Sequence, residues 1–140
     1  TALPAGFSPA SVTFVSAGTG YVLGQLPCTS TVCYALAKTV DGGRDWSPVS
    51  DLPMRPQQDQ PVTAVRFADV NDGWVFGPQL WATHDGGRSW RRLPQTSAVT
   101  DVEASGGVVY ASVGMRDEEP NEQGMMYTSV RSDVSRSLVA

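Results

Sequence analysis

At 140 residues, with 41% hydrophobic and 17% charged residues, the chain has the size of one ordinary domain and the make-up of a folded one. A formal net charge of −4, with Arg91-Arg92 as the only adjacent basic pair, excludes nucleic acid as a partner, because phosphate binding needs a basic stripe. No apolar run approaches the roughly 18 residues that a membrane-spanning helix needs, and 14 glycines and 10 prolines suit short strands joined by tight turns.

The first predicted strands are Val12-Thr13-Phe14-Val15 and Gly20-Tyr21-Val22-Leu23-Gly24. Cys28 and Cys33 follow, enclosing only Thr-Ser-Thr-Val beside Pro27. The simplest reading is a local disulfide, which implies an oxidising compartment; the alternative is two free thiols. A zinc site is not expected, because the pair lacks further ligands and His84 is the single histidine. Next comes Thr39-Val40-Asp41-Gly42-Gly43-Arg44-Asp45-Trp46, then a proline-rich stretch over 52–61.

The same order then recurs. Val65-Arg66-Phe67-Ala68 and Gly73-Trp74-Val75-Phe76-Gly77 match the first two strands at an offset of 53 residues. Thr83-His84-Asp85-Gly86-Gly87-Arg88-Ser89-Trp90 matches the later segment at an offset of 44, with six of eight positions identical. The nine-residue difference predicts an insertion loop in the first unit, pinned by Cys28 and Cys33. A degraded third unit follows, with Val99-Thr100-Asp101-Val102, then Gly107-Val108-Val109-Tyr110, then a strand beginning at Gly124-Met125-Met126-Tyr127-Thr128. Its Asp-Gly-Gly turn is missing, replaced by 129–135 with no tryptophan.

Tandem units of about 40 residues with four short strands each are the signature of propeller blades. The expected fold is all-β: one partial β-propeller domain over 1–140, made of three consecutive four-stranded blades at about 11–53, 62–95 and a divergent 98–140. Propellers close with roughly four to eight blades, so three need further blades, from the same polypeptide or from another copy.

The pattern Thr-x-Asp-x-Gly-x-x-Trp is the Asp-box, or BNR repeat, and each window has only about a one in 100,000 chance of matching it under average residue usage. Every position has a structural job. Asp41 and Asp85 accept backbone N–H groups and hold a turn closed. Gly43 and Gly87 supply positive φ. Thr39 and Thr83 add a second local bond, and Trp46 and Trp90 bury a large face between sheets. Asp-boxes occur in sialidases, xyloglucan-degrading glycosidases, sortilin-type receptors and photosystem II assembly factors. The order Phe-x-Asp, Gly-Trp-x-x-Gly, Thr-x-Asp-Gly-Gly-x-x-Trp, seen from Val65 to Trp90, most resembles the photosystem II assembly factor group. The resemblance runs from Val12 to Leu93 and is specific for fold rather than for function.

For function, the expectation is a secreted or cell-surface, non-catalytic propeller that binds or scaffolds a protein or glycan partner, with no cofactor and no metal. The alternative is part of a sialidase-like glycoside hydrolase whose catalytic residues lie mostly elsewhere. Sialidases resemble one another in a Phe/Tyr-Arg-Ile-Pro motif ahead of the first Asp-box; here Met54-Arg55-Pro56 is a poor echo and lies after it. Carboxylates placed at the inner rim are Asp59, Asp69, Asp72, Asp101 and Glu103, with Asp69 and Asp72 read as turn formers. The acidic run over 116–122 reads as a solvated loop rather than a calcium site. Met115, Met125 and Met126 read as core filling, Trp74 and Trp81 as buried, and His84 as an exposed turn residue.

Overall fold

The computed structural model describes residues 3–28, 32–54, 61–77, 79–93, 98–105, 108–114 and 127–133. Eleven strands form three separate antiparallel sheets among them. The first holds β1 (Ser8–Phe14), β2 (Gly20–Pro27), β3 (Val32–Thr39) and β4 (Ser47–Asp51), in that order. The second holds β5 (Ala64–Phe67), β6 (Gly73–Phe76), β7 (Leu80–Thr83) and β8 (Arg91–Leu93). In the third, β10 (Val108–Gly114) lies between β9 (Ala98–Ser105) and β11 (Tyr127–Asp133). Each sheet is a meander, because antiparallel neighbours need only a tight turn between them. Where a fourth strand was expected in the third unit, the chain lies outside the described residues. The stretch after Tyr127 is not a substitute turn: β11 runs on through Ser129 to Asp133, paired with β10.

The first strands β1, β5 and β9 lie side by side, so they are the inner strands of successive blades. Side chains alternate across each sheet. In β5, Val65 and Phe67 face the first sheet, whereas Arg66 and its ladder partner Trp74 face the third. Two cores result, one at each junction. Between the first and second sheets pack Tyr21, Leu23, Leu36, Leu52, Val62, Val65, Phe67, Val75 and Trp81. Between the second and third pack Trp74, Phe76, Leu80, Ala82, Leu93, Val102 and Ala111. Trp74 and Trp81 are therefore buried, as their strand positions predict.

The aromatic of each first strand lies across a glycine on the second. A Cβ on Gly73 would sit 2.6 Å from the Phe67 ring, and one on Gly20 would sit 2.7 Å from Phe14. Phe67 receives the Tyr21 ring of the preceding sheet on its other side, stacked at 3.7 Å with planes 8° apart. In the third sheet the ladder puts Ala104 and Val109, not Gly107, at the Phe67 and Gly73 positions. A small residue on one strand is matched by a larger one opposite. Ala104 then leaves room for the bulkier Trp74, against whose cluster it packs.

Among the described residues, no other sheet covers the remaining face of the first sheet. Val12 is 54% exposed and Phe14 45%, whereas their equivalents Val65 and Phe67 are 2% and 3% exposed.

The nine-residue insertion is not a loop. It lengthens a hairpin: β2 and β3 have eight residues each, against four each in β6 and β7. Cys28 and Cys33 are bonded at its tip, with Cα atoms 5.7 Å apart. A longer ladder absorbs the extra residues by pairing them across the hairpin, as far as Pro27 with Val32.

Candidate functional site

The two Asp-boxes fold into the same turn. Thr39, at the end of β3, donates its hydroxyl to Asp41 Oδ1 at 2.8 Å and accepts the N–H of Gly43 at 2.9 Å. Asp41 Oδ1 also accepts the Asp45 N–H at 2.9 Å, and Trp46 Nε1 donates to the Gly43 carbonyl at 3.0 Å. Thr83, Asp85, Gly87, Ser89 and Trp90 repeat these four bonds at the same distances. Positive φ falls on both glycines of each pair: 75° and 96° at Gly42 and Gly43, 73° and 91° at Gly86 and Gly87. Side chains with a Cβ disfavour that region. The first glycine of each pair donates its N–H to the preceding β-turn, Gly42 to Gly18 and Gly86 to Asn71, both at 2.9 Å.

The threonine is a hub, not an auxiliary. Both Thr39 and Thr83 are almost fully buried, and each hydroxyl serves the aspartate and the second glycine together. The tryptophans are less enclosed than the motif alone suggests. Trp46 and Trp90 are half-buried and meet the first-strand phenylalanine of their own sheet edge-on, at 6.2 Å from Phe14 and 6.3 Å from Phe67. The indole N–H reaches the turn carbonyl, which holds each ring beside its own strands, and Trp90 also packs against the core between the first and second sheets.

These bonds set the electrostatics. The backbone N–H of Asp45, then the Thr39 hydroxyl, hold the Asp41 carboxyl below its usual range. Burial pushes Asp85 up, but the Ser89 hydroxyl and N–H and the Thr83 hydroxyl outweigh it and leave the group at about 2. The Ser89 hydroxyl supplies a bond at 2.6 Å to the second carboxylate oxygen. Asp69 Oδ1 accepts the N–H groups of Asn71 and Asp72 at 2.8 Å each, the turn-forming role its position predicts. Asp72 itself is 2.6 Å from His84 Nδ1, a pairing that the variable Asp-box position of His84 did not signal.

A groove of about 440 Å³ runs along the Asp-box edge between the first two sheets. Lys38, Asp41, Asp45 and Pro48 line one wall and Asn71, Gly86 and Arg88 the other. Tyr21 closes the junction beneath. Its hydroxyl donates to the Val70 carbonyl at 2.8 Å, and Lys38 Nζ sits 5.6 Å from the centre of its ring. The sequence shows Arg88 only as part of an Asp-box turn and gives no signal at Lys38. The groove comes from the junction of two blades, which no spacing within one blade encodes.

Of the inner-rim carboxylates, Asp101 and Glu103 lie on β9. Asp101 Oδ1 accepts the N–H of Val102 at 2.9 Å, and Glu103 is 3.9 Å from Arg66 Nε, which also donates to the Val102 carbonyl at 3.1 Å. Asp59, the 116–122 run and Met115, Met125 and Met126 lie outside the described residues. Among the described residues, no group of three or more His, Cys, Asp or Glu is placed to hold a metal ion, and no helix is long and apolar enough to cross a membrane.

The fold and motifs agree with comparisons to known proteins. A structure of YCF48 from Cyanidioschyzon merolae matches with a TM-score of 0.51 at 18% identity, over 91% of this chain and 38% of that one. A structure described as YCF48 bound to D1 peptide matches with a TM-score of 0.41 at 14% identity, over 91% of this chain and 56% of that one. This chain thus spans about half, or less, of the length of those two structures. No curated protein matches it. Residues 1–127 match the family described as photosynthesis system II assembly factor YCF48, and the chain belongs to that family.

Proposed function

We propose that this member of the YCF48 family is a non-catalytic propeller module that binds or scaffolds a protein partner, taking an extended peptide segment in the groove between its first two sheets. The observation that carries this reading is how the groove is built. The Asp41 carboxylate that lines it is committed to the Asp45 N–H and the Thr39 hydroxyl of its own turn, a structural use that holds its pKa down and leaves it a poor acid or base. Lys38 and Arg88 line opposite walls, with carboxylates beside them, which suits a polar chain of mixed charge. The family description, an assembly factor, and the D1 peptide in one solved YCF48 concern those proteins; a peptide ligand is the class they make worth testing here. Glycan binding is less favoured, because Trp74 and Trp81 are buried and Trp46 and Trp90 are tied to their turns.

We also propose an extracytoplasmic location, on the support of the Cys28–Cys33 bond at the long hairpin tip. The functional reading is tested by screening the chain against an array of overlapping extended peptides, with fluorogenic sialoside and glucan substrates as a parallel assay. Peptide binding that falls at least tenfold on Lys38→Glu or Arg88→Glu, with no sugar turnover, supports it. Turnover that a rim carboxylate substitution abolishes overturns it.

A further inference from the structure

The groove between the first two sheets has walls built by the same repeated motif, so each blade is a control for the other. In the second sheet, the turn between β5 and β6 is pinned from several sides. Asp69 Oδ1 accepts the N–H groups of Asn71 and Asp72, the Asn71 carbonyl accepts the Gly86 N–H at 2.9 Å, and the Val70 carbonyl accepts the Tyr21 hydroxyl at 2.8 Å. Asp72 in turn meets His84 Nδ1 at 2.6 Å. Both backbone groups of Asn71 are thus used by the fold, while the residue itself is exposed on the groove wall.

The first sheet builds the same turn without that side chain. Gly18 stands at the position of Asn71, and its carbonyl accepts the Gly42 N–H at 2.9 Å. Ser16 takes the place of Asp69, its hydroxyl accepting the Thr19 N–H at 3.1 Å. The turn therefore needs a backbone at this position, not an asparagine. Among the described residues, the Asn71 carboxamide has no hydrogen-bond partner. It offers an acceptor and a donor side by side. In an extended chain the N–H and C=O of one residue point to the same side, which is the complementary pair. A carboxamide carried on a pinned turn also loses little freedom when it binds. The charges around it favour no single sign of side chain, since Lys38 and Arg88 line the groove together with Asp41 and Asp45. What such walls can select is the main chain, which every extended segment shares.

We propose that Asn71 is the clamp of this groove, its carboxamide accepting the N–H and donating to the C=O of one residue in an extended segment of a partner protein. At that residue the partner is recognised by its backbone and not by its side chain. This role rests on the peptide reading of the groove and adds which residue holds the peptide, and by what chemistry.

Calorimetric titration with the tightest-binding member of the peptide array tests it on the intact chain. The native peptide is compared with a series in which one amide at a time becomes an ester, which removes a single N–H. Asn71→Ala should weaken the native peptide by about tenfold while the thermal midpoint stays near that of the wild type. Asn71→Gly, which copies Gly18, should do the same. One ester should weaken binding to the wild-type chain by about tenfold, whereas alanine at the same peptide residue should change it by less than about twofold. That ester should cost Asn71→Ala nothing further, because a contact already lost cannot be lost twice. Binding that falls on Lys38→Glu or Arg88→Glu but is indifferent to Asn71→Ala and to every ester overturns the clamp and leaves the peptide groove standing. An ester effect that persists in full in Asn71→Ala overturns the clamp equally. If no peptide of the array binds the wild-type chain, both readings fall together.

Discussion

Phe14 and Phe67 have the same local surroundings. Each lies across a glycine of the next strand, and each meets the tryptophan of its own Asp-box edge-on. Yet Phe67 is in the core and Phe14 is on the surface. The first and second sheets thus share their internal construction and differ in what covers them. A blade's turns and ladders are written in its own residues; its burial is supplied by its neighbour. Nearest-neighbour stabilisation of this kind is typical of repeat architectures.

Substitutions at paired positions break or sharpen that contrast. The largest difference is expected at the phenylalanines. Phe67→Ala removes a ring stacked between sheets and should lower stability by about 3–5 kcal/mol. Phe14→Ala should cost the monomeric chain only about 1 kcal/mol, read from urea unfolding at dilute protein. Equal losses would mean the first sheet is covered in solution even in the monomer.

The second glycines come next. An alanine at Gly43 makes only ordinary van der Waals contact, 3.7 Å from Trp46 and 3.9 Å from Phe14, and suffers mainly from its φ of 96°, about 1–2 kcal/mol. At Gly87 the added methyl also runs into the Leu36 side chain of the first sheet, so roughly 3 kcal/mol is expected. Comparing the thermal midpoints of Gly43→Ala and Gly87→Ala checks this, and equal midpoints would place Leu36 away from the turn.

The aspartates should differ least. Asp85→Ala frees turn N–H groups and should cost about 2 kcal/mol, while Asp41→Ala, at a fully exposed site, should lower the thermal midpoint less. Acid titration sharpens the comparison. The bonds of the turn lower the Asp85 pKa from the ordinary 3.8 to about 2, so the carboxylate stabilises the fold fully above that ordinary value. That contribution fades as pH falls from 3.8 toward 2, and Asp85→Asn should flatten the stability profile in this window. An unchanged slope would show that the carboxylate charge contributes nothing to the turn.

Much of the fold was legible because the Asp-box is a local device. Thr39, Asp41, Gly43 and Trp46 bond to one another within eight residues, and such spacing survives in sequence. What failed to show lies between units. The stacking of Tyr21 on Phe67 joins residues 46 apart, and the Lys38–Arg88 groove joins residues 50 apart, so no motif links them. The extension of the first hairpin looked like a loop because Pro27 and the cysteines suggest a turn. The strand pairing from Gly20–Thr39 to Pro27–Val32 shows that only the tip turns.

The two size pairings, tyrosine with phenylalanine and tryptophan with alanine, act as an address on each blade. A repeat chain risks exchanging one unit for another while it folds. Setting Trp74 against a phenylalanine would overfill the seam, and setting Tyr21 against an alanine would leave it hollow. Exchanging the partners of these two seams is thereby penalised, so the residues that glue neighbours together also record which of them belong side by side.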